Sequence, residues 1–283
     1  EAPEPRELDV LLSTGETVSC TLMAMALRNI GHKAISLSGQ QAGIRTDMAF
    51  GRARISNFDP KRIRKELDAG KVVIVAGFQG VTDDMDITTL GRGGSDTTAV
   101  ALAAGLGAER CEIYTDVEGI YTADPRVVPE AQKLNEIGFD EMLELASYGA
   151  KMHPRSIELG AVYDVPILVS SSMHDKPGTL IHGGTNMEVR DKVRGVAYDL
   201  DVAKITIHRV PDRPGIAAMI FEPLAEVGVS VDTIVQNASV ERLTDLTFTV
   251  SRNDVSRALE VVQPVAEKIN AAECLSATGL AKV

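Results

Sequence analysis

The feature that most constrains this chain is an alternation, through its first two thirds, of short apolar strands with helical segments. HKAISLSG, KVVIVAGF, CEIYTDV and VPILVSS read as strands. Between them lie LLSTGETVSCTLMAMALRNIG, with helical apolar spacing from Val18 to Ile30 and Gly31 as a stop, the exposed helix FDPKRIRKELDAG, and the apolar AVALAAGLGA. IGFDEMLELASYGAKMHPRSIELGAVY adds mostly helical chain. Near-continuous apolar strands leave no wet face, so they call for a parallel sheet covered by helices on both sides. The expectation for residues 1–196 is a three-layer αβα sandwich with a mostly parallel sheet.

The pattern changes near Gly195. KITIHRV, PGIAAMIFEPLAEVGV, SVDTIVQNAS, TDLTFTV and NDVSRALEVVQPVAEKI read as strand, helix, strand, strand, helix, and CLSATGL supplies a final strand. Residues 197–283 are therefore expected to form a separate, ferredoxin-like βαββαβ domain.

A net charge of −11 argues against nucleic acid or an anionic membrane as partner. No apolar run approaches the ~20 residues of a bilayer crossing, and the acidic, proline-rich EAPEPRELDV is no signal peptide. Cys20, Cys111 and Cys274 are odd in number and far apart, without metal-ligand spacing. They read as buried reduced thiols, which suits the cytoplasm. The chain starts without Met and stops on GLAKV, in what reads as the start of a strand, as a fragment would.

LGRGGSDTT, Leu90 to Thr98, joins a buried strand to a buried helix. Such a turn exposes N–H groups at the positive end of a helix, and its glycines let an anion approach the backbone. Arg92 adds a fork for a carboxylate or phosphate. Ser95 and Asp96 stand where an N-cap belongs, so the loop serves an anion or simply caps a helix. It fits neither GxxxxGK[ST] nor GxGxxG. YTDVEGIYTADPR places Asp116 at the carboxyl end of a strand, where open α/β sheets bind ligands, with Tyr121 to stack and Arg126 to reach phosphate. An ordinary turn-rich loop is the alternative.

LSTGETVS, SGQQAG, VAGFQG, TTLGRGGSDTTAVALAA, YTDVEGIYTADPR and EMLELASYGAKMHPRS, in this order, resemble the aspartate kinases of the amino-acid kinase family. KITIHRVPDRPGIAAMIFEPLAEVGVSVDTIVQN resembles the first of their paired ACT domains. The resemblance implies ATP-dependent phosphorylation of the side-chain carboxylate of L-aspartate to 4-phospho-L-aspartate, the first step toward lysine, threonine and methionine. It implies ATP and Mg²⁺ as cofactors, lysine or threonine as effectors, and a homo-oligomer formed through ACT domains. By resemblance, Arg92 holds a substrate carboxylate and Glu16 its ammonium group, with Gly93, Gly94, Ser95, Leu67 and Asp68 as further substrate contacts. Asp96 organises the site beside the transferred phosphoryl, and Arg92 and Asp96 are the catalytic pair. Ser95, Thr115, Asp116, Tyr121, Thr122, Ala123, Asp124, Pro125, Arg126, Lys151 and Met152 take the nucleotide. Asp212, Arg213, Pro214, Gly215, Ile216, Ala217, Ser230, Val231, Asp232 and Gln236 line an effector site.

Plainer roles stand beside these. Glu16 also suits a helix's first turn, Lys151 a solvated surface, PDRPGIAA a capped turn, and Lys61 to Lys65 the wet face of a helix. His153 reads as packed. A non-catalytic, amino-acid-sensing module is the second reading of the whole. A glutamate or nucleotide kinase of the same superfamily is the third, although it would lack an ACT domain.

Two departures bear on activity. The opening KxGGTS of related sequences is absent, and only Met152 separates Lys151 from His-Pro-Arg where the family more often has two apolar residues. Loss of one preorganised donor typically costs ~10²–10³ in rate. The expectation is that residues 1–283 alone bind nucleotide weakly and scarcely turn over aspartate. A coupled ADP-release assay with hydroxylamine trapping, run on this chain and on a longer polypeptide carrying KxGGTS, checks it. Equal turnover in both would discard the role given to that lysine.

Overall fold

The computed structural model describes residues 3–150, 152–184, 195–237 and 242–283. The chain divides into two compact units, Glu1–Ala197 and Tyr198–Val283. In order, the first contains α1 (Pro5–Asn29), β1 (Ala34–Leu37), α2 (Gly39–Ala42), β2 (Ile44–Thr46), β3 (Ile55–Phe58), α3 (Lys61–Asp68) and β4 (Val72–Val75). It continues with β5 (Gln79–Val81), β6 (Ile87–Thr89), α4 (Gly94–Leu106), β7 (Cys111–Thr115), β8 (Glu136–Gly138), α5 (Phe139–Ser147), α6 (Pro154–Tyr163), β9 (Ile167–Ser171) and β10 (Thr179–His182).

The strands pair in three groups: β1 with β4, β3-β2-β5-β6, and β7-β9-β10-β8. Parallel pairs join β1 to β4, β2 to β5, β7 to β9 and β8 to β10, as crossover helices require. Antiparallel hairpins interrupt them at β2/β3 and β5/β6, and β9 also runs against β10. The sheet is thus mixed. Strands of three or four residues are too short to show a period-two pattern, which is why the hairpins are hidden in the sequence.

Helix α4 is apolar on all sides because it is packed on all sides. Val100 and Ala103 enter one core with Ile137, Met142, Ile157, Ile167 and Val169, while Leu102 and Leu106 pack against another formed by Leu37, Ile44 and Ile63. Each such side chain contributes roughly 1.5–3 kcal/mol on burial.

Helix α1 corrects the expected start at Val18. It begins at Pro5, whose fixed φ suits a first turn, and Glu4 caps the Glu7 N–H. The continuous helix is long and apolar enough to cross a bilayer by length and composition, which scattered Ser, Thr and Gly residues conceal in the sequence. Here it lies against β1, β4 and β6. Its Asp9 is fully buried, and Oδ2 accepts the Gly51 and Thr89 N–H groups, both at 2.8 Å, while Oδ1 accepts the Thr89 hydroxyl at 2.7 Å. One turn on, the Ser13 carbonyl accepts Gln79 Nε2 at 2.9 Å.

The second unit comprises β11 (Ala203–Pro211), α7 (Ile216–Glu226), β12 (Ile234–Gln236), β13 (Leu243–Val250), α8 (Val255–Lys268) and β14 (Glu273–Ala277). Its sheet order is β12-β13-β11-β14, antiparallel throughout, which is the ferredoxin-like arrangement. Alternate residues of β11 and β13 (Ile205, Ile207, Leu246, Phe248) meet Ile220, Leu224, Ala258 and Val262 of the helices in one core.

Each buried donor left without an acceptor costs about 1–3 kcal/mol. Asp9→Ala is therefore expected to destabilise the first unit by about 3 kcal/mol in denaturant unfolding. Asp9→Asn should cost much less, because its oxygen can take both N–H groups while its amide donates to the Thr89 hydroxyl. Equal losses in both would show that the charge, not the hydrogen-bond count, holds the junction.

Candidate functional site

Leu90–Gly93 carries the chain from β6 into α4. Gly91 and Gly93 have φ of +77° and +67°, a region that favours glycine. A Cβ on Gly93 would fall 2.3 Å from the Cβ of His153, and one on Gly94 would fall 2.9 Å from the Phe78 ring. Bare backbone is thus required by packing as well as by any ligand. Arg92, between the two left-handed glycines, is exposed, and no described residue pairs with it. Ser95 and Asp96 are not the N-cap: α4 starts at Gly94 with Gly93 as its cap, and the cap position makes no side-chain hydrogen bond. Both belong to the first turn instead, with Ser95 exposed.

Three residues to which the sequence assigns no role hold this loop. Asp9 takes the N–H and hydroxyl of Thr89, immediately before it. Arg155 donates to the carbonyls of Leu90 at 2.8 Å and Ala53 at 2.9 Å. Burial and then nearby Arg54 press the Arg155 guanidinium below its usual range, so the two carbonyls act as its compensation. Thr98 accepts the N–H of Phe78, a residue held at φ +67° against Gly94. His153 packs as expected: it caps α6, its Nδ1 accepting the Arg155 N–H at 3.2 Å. The visible signal was MHPRS, a proline at a first helical turn behind a capping residue.

The second stretch reaches the same end of the fold. β7 returns antiparallel to α4, so Thr115 and Asp116 lie at the end where α4 begins. Thr115 Oγ1 donates to Asp116 Oδ1 at 3.1 Å, and the Thr115 carbonyl accepts Ser172. Buried Thr179 anchors the loop that follows, accepting Ile120 N–H at 2.9 Å and donating to the Leu134 carbonyl at 2.6 Å. Tyr121 bridges to Lys133, and Thr122 bonds Gln132. Arg126 forks onto Asp124 within the Ala123–Arg126 turn, with Nη2 at 2.7 Å from Oδ2. Its guanidinium thus already has a carboxylate that a phosphate would have to displace.

Other expected residues lie elsewhere. The Met152 side chain is buried in the core among Met142 and Ile157, so it offers a ligand no side-chain contact. Lys151 lies outside the described residues. Leu67 and Asp68 end α3 beside the start of β4, whereas the Gly-rich loop sits beyond its end, where Gly77 approaches Ser95. The length of β4, roughly 13 Å, separates them, so the structure does not bring them to the loop. Glu16 is half-buried on α1, one turn beyond Ser13 and its Gln79 contact. The Cys111 thiol is pushed up to about 11, chiefly by burial, which disfavours the thiolate.

In the second unit, Asp212–Ala217 line a cavity of about 290 Å³ with Val210, Pro211, Gln236, Thr244 and Leu246. Ser230, Val231 and Asp232 are not in its wall. Val231 packs against the core, and Asp232 pairs with Lys282.

The amino acid kinase family profile matches residues 2–171, and an ACT domain profile matches residues 208–264. The aspartokinase of Pseudomonas aeruginosa is 51% identical over 286 residues, covering 100% of this chain and 69% of the relative. The crystal structure of Escherichia coli aspartokinase III in complex with aspartate and ADP aligns with TM-score 0.83 at 33% identity, over 99% of this chain and 63% of that one. The same enzyme in complex with lysine and aspartate aligns with TM-score 0.72 at 31% identity, over the same shares. In profile, identity and fold together, this chain belongs to the amino acid kinase family and, within it, to the aspartokinases.

Proposed function

We propose that the first unit transfers the γ-phosphoryl group of ATP to the side-chain carboxylate of L-aspartate, and that the second senses an amino-acid effector. The observation that carries the first part is the placement of exposed Arg92 between two left-handed glycines, at the sheet end that also presents Thr115 and Asp116. The solved aspartokinase with aspartate and ADP bound supports both ligand classes.

The chemistry follows from charge. An aspartate side chain, with a pKa of about 3.9, is already ionised, so its oxygen attacks without a general base. The obstacle is two anions brought together, and catalysis lies in alignment and cancellation of charge. Arg92 clamps a substrate carboxylate, Glu16 takes the ammonium group, and the first turn of α4 with Ser95 faces the phosphoryl group. Asp96 orients neighbouring groups and removes no proton. Among the described residues no group of three or more His, Cys, Asp or Glu side chains could cage a metal. Mg²⁺, entering as MgATP, would supply charge cancellation at the phosphates. Thr115, Asp116 and Tyr121–Arg126 take the nucleotide, with Lys151 as a further cation.

The ACT cavity suits a small zwitterion. Its Asp212–Ala217 turn opens α7 with Gly215 as an uncapped N-cap at φ +87°, where a carboxylate is favoured. Lysine or threonine is the proposed effector, and the aspartokinase III complex with lysine supports the former. Edge strand β12, with Ile234 and Val235 exposed, suits pairing with a second copy. Three unpaired thiols fit a cytoplasmic protein.

Two substitutions, made in a polypeptide that carries KxGGTS ahead of this chain, test this reading. Arg92→Lys keeps charge and loses the fork, so kcat/KM for aspartate should fall at least about tenfold, or ~1.4 kcal/mol. Unchanged steady-state kinetics would remove Arg92 from the substrate site. Gln236→Ala should raise the effector concentration needed for half inhibition while leaving uninhibited turnover intact. Parallel loss of both would take Gln236 out of an effector pocket.

A further inference from the structure

In the second unit, β11 carries one residue more than the strand it faces. Ile207 pairs with Leu246 and Val210 with Thr244, so His208 and Arg209 both stand opposite Asp245. Two residues against one is a β-bulge, which bends a strand and re-aims the side chains beyond it. This bulge is strained, because Arg209 sits at φ +56° with a full side chain.

Asp245 holds both bulged residues. Its Oδ1 accepts the Arg209 N–H at 3.0 Å, and its Oδ2 lies 3.0 Å from His208 Nδ1. The Arg209 amide, and then His208, keep this carboxyl below the ordinary carboxylate range. Directly beyond the bulge, Val210 and Pro211 enter the cavity wall, and the residues flanking Asp245 on β13, Thr244 and Leu246, line the same cavity. Strand alternation points Asp245 away from that cavity: Thr244 and Leu246 are buried and Asp245 is half-exposed.

We propose that Asp245 is a positioning residue for the amino-acid pocket, gripping both residues of the bulge from the opposite face and so setting where Val210–Asp212 meet Gln236. The proposal rests on the reading of this cavity as an effector site. It makes affinity depend on a side chain that never touches the ligand. It also implies a specific rescue: glycine at position 209 adopts positive φ unaided, so it removes the need for the carboxylate.

The test is calorimetric titration of the full chain with L-lysine and, separately, L-threonine, alongside amide hydrogen exchange at residues 209 and 212. Asp245→Ala should weaken binding about tenfold, as expected for a lost charged hydrogen bond, and speed exchange at both amides. Adding Arg209→Gly to Asp245→Ala should restore affinity. Asp245→Asn, whose amide oxygen can still accept the Arg209 N–H, should fall between. Gln236→Ala should weaken binding with exchange unchanged. Weakening by Gln236→Ala but not by Asp245→Ala would overturn the positioning role, as would an Asp245→Ala defect that Arg209→Gly leaves unrepaired. If the unaltered chain binds neither amino acid, the effector reading fails by itself. Exchange then still decides: faster exchange in Asp245→Ala supports the grip on the bulge, and unchanged exchange refutes it.

Discussion

The first unit depends on one buried carboxylate. Asp9 projects from α1 into the junction of β6 and the Gly51 turn, where its two oxygens satisfy three donors. A carboxylate removed from water is tolerable only when it is bonded this fully. The same bonds fix where β6 ends, and therefore where Leu90–Gly93 begins. From the other side Arg155 takes the Leu90 carbonyl. A charged group on each flank locates the loop between helix α1 and helix α6, so its backbone geometry is set before any ligand arrives.

The loop's bare backbone answers a packing demand. Gly93 lies against His153 and Gly94 against Phe78 and Leu90, so any side chain there would meet its neighbours. This close approach leaves Arg92 as the one long side chain between two left-handed turns. A guanidinium on a preorganised backbone loses less freedom when it binds a planar anion. The arrangement matches what acyl phosphate formation asks of a protein, since the nucleophile is already charged and the work is electrostatic.

The second unit solves a different problem, with a sheet whose one face is closed by α7 and α8. Phe221 of α7 meets Phe248 of β13 edge to face, with centroids 5.3 Å apart, near the centre of that core. The cavity forms at the periphery, where β11 leaves the sheet through the PDRPG turn. Cavity and core thus share strands and a face, through Val210, Ile216 and Leu246, and a change on the open face can reach the cavity only through the backbone.

How much of this was legible beforehand follows from range. Alternating apolar runs, the Gly-rich turn and the βαββαβ order are local patterns, and hydrophobic burial acts on them wherever the chain goes. They determined the αβα unit, the ferredoxin-like unit and the strand-to-helix turn that carries Arg92. Residues whose importance lies in long-range bonds carry no such mark. Asp9 looks like one more acid in an acidic segment, and its partner Thr89 is 80 positions away. Arg155 gains its meaning from carbonyls 65 and 102 positions distant, and Asp245 from a bulge on another strand. Only the tertiary structure decided these, because a buried polar group is defined by the partner that satisfies it. The same reason removed Leu67 and Asp68 from the loop and turned Met152 inward, since a motif's spacing does not specify which end of a strand a helix adjoins.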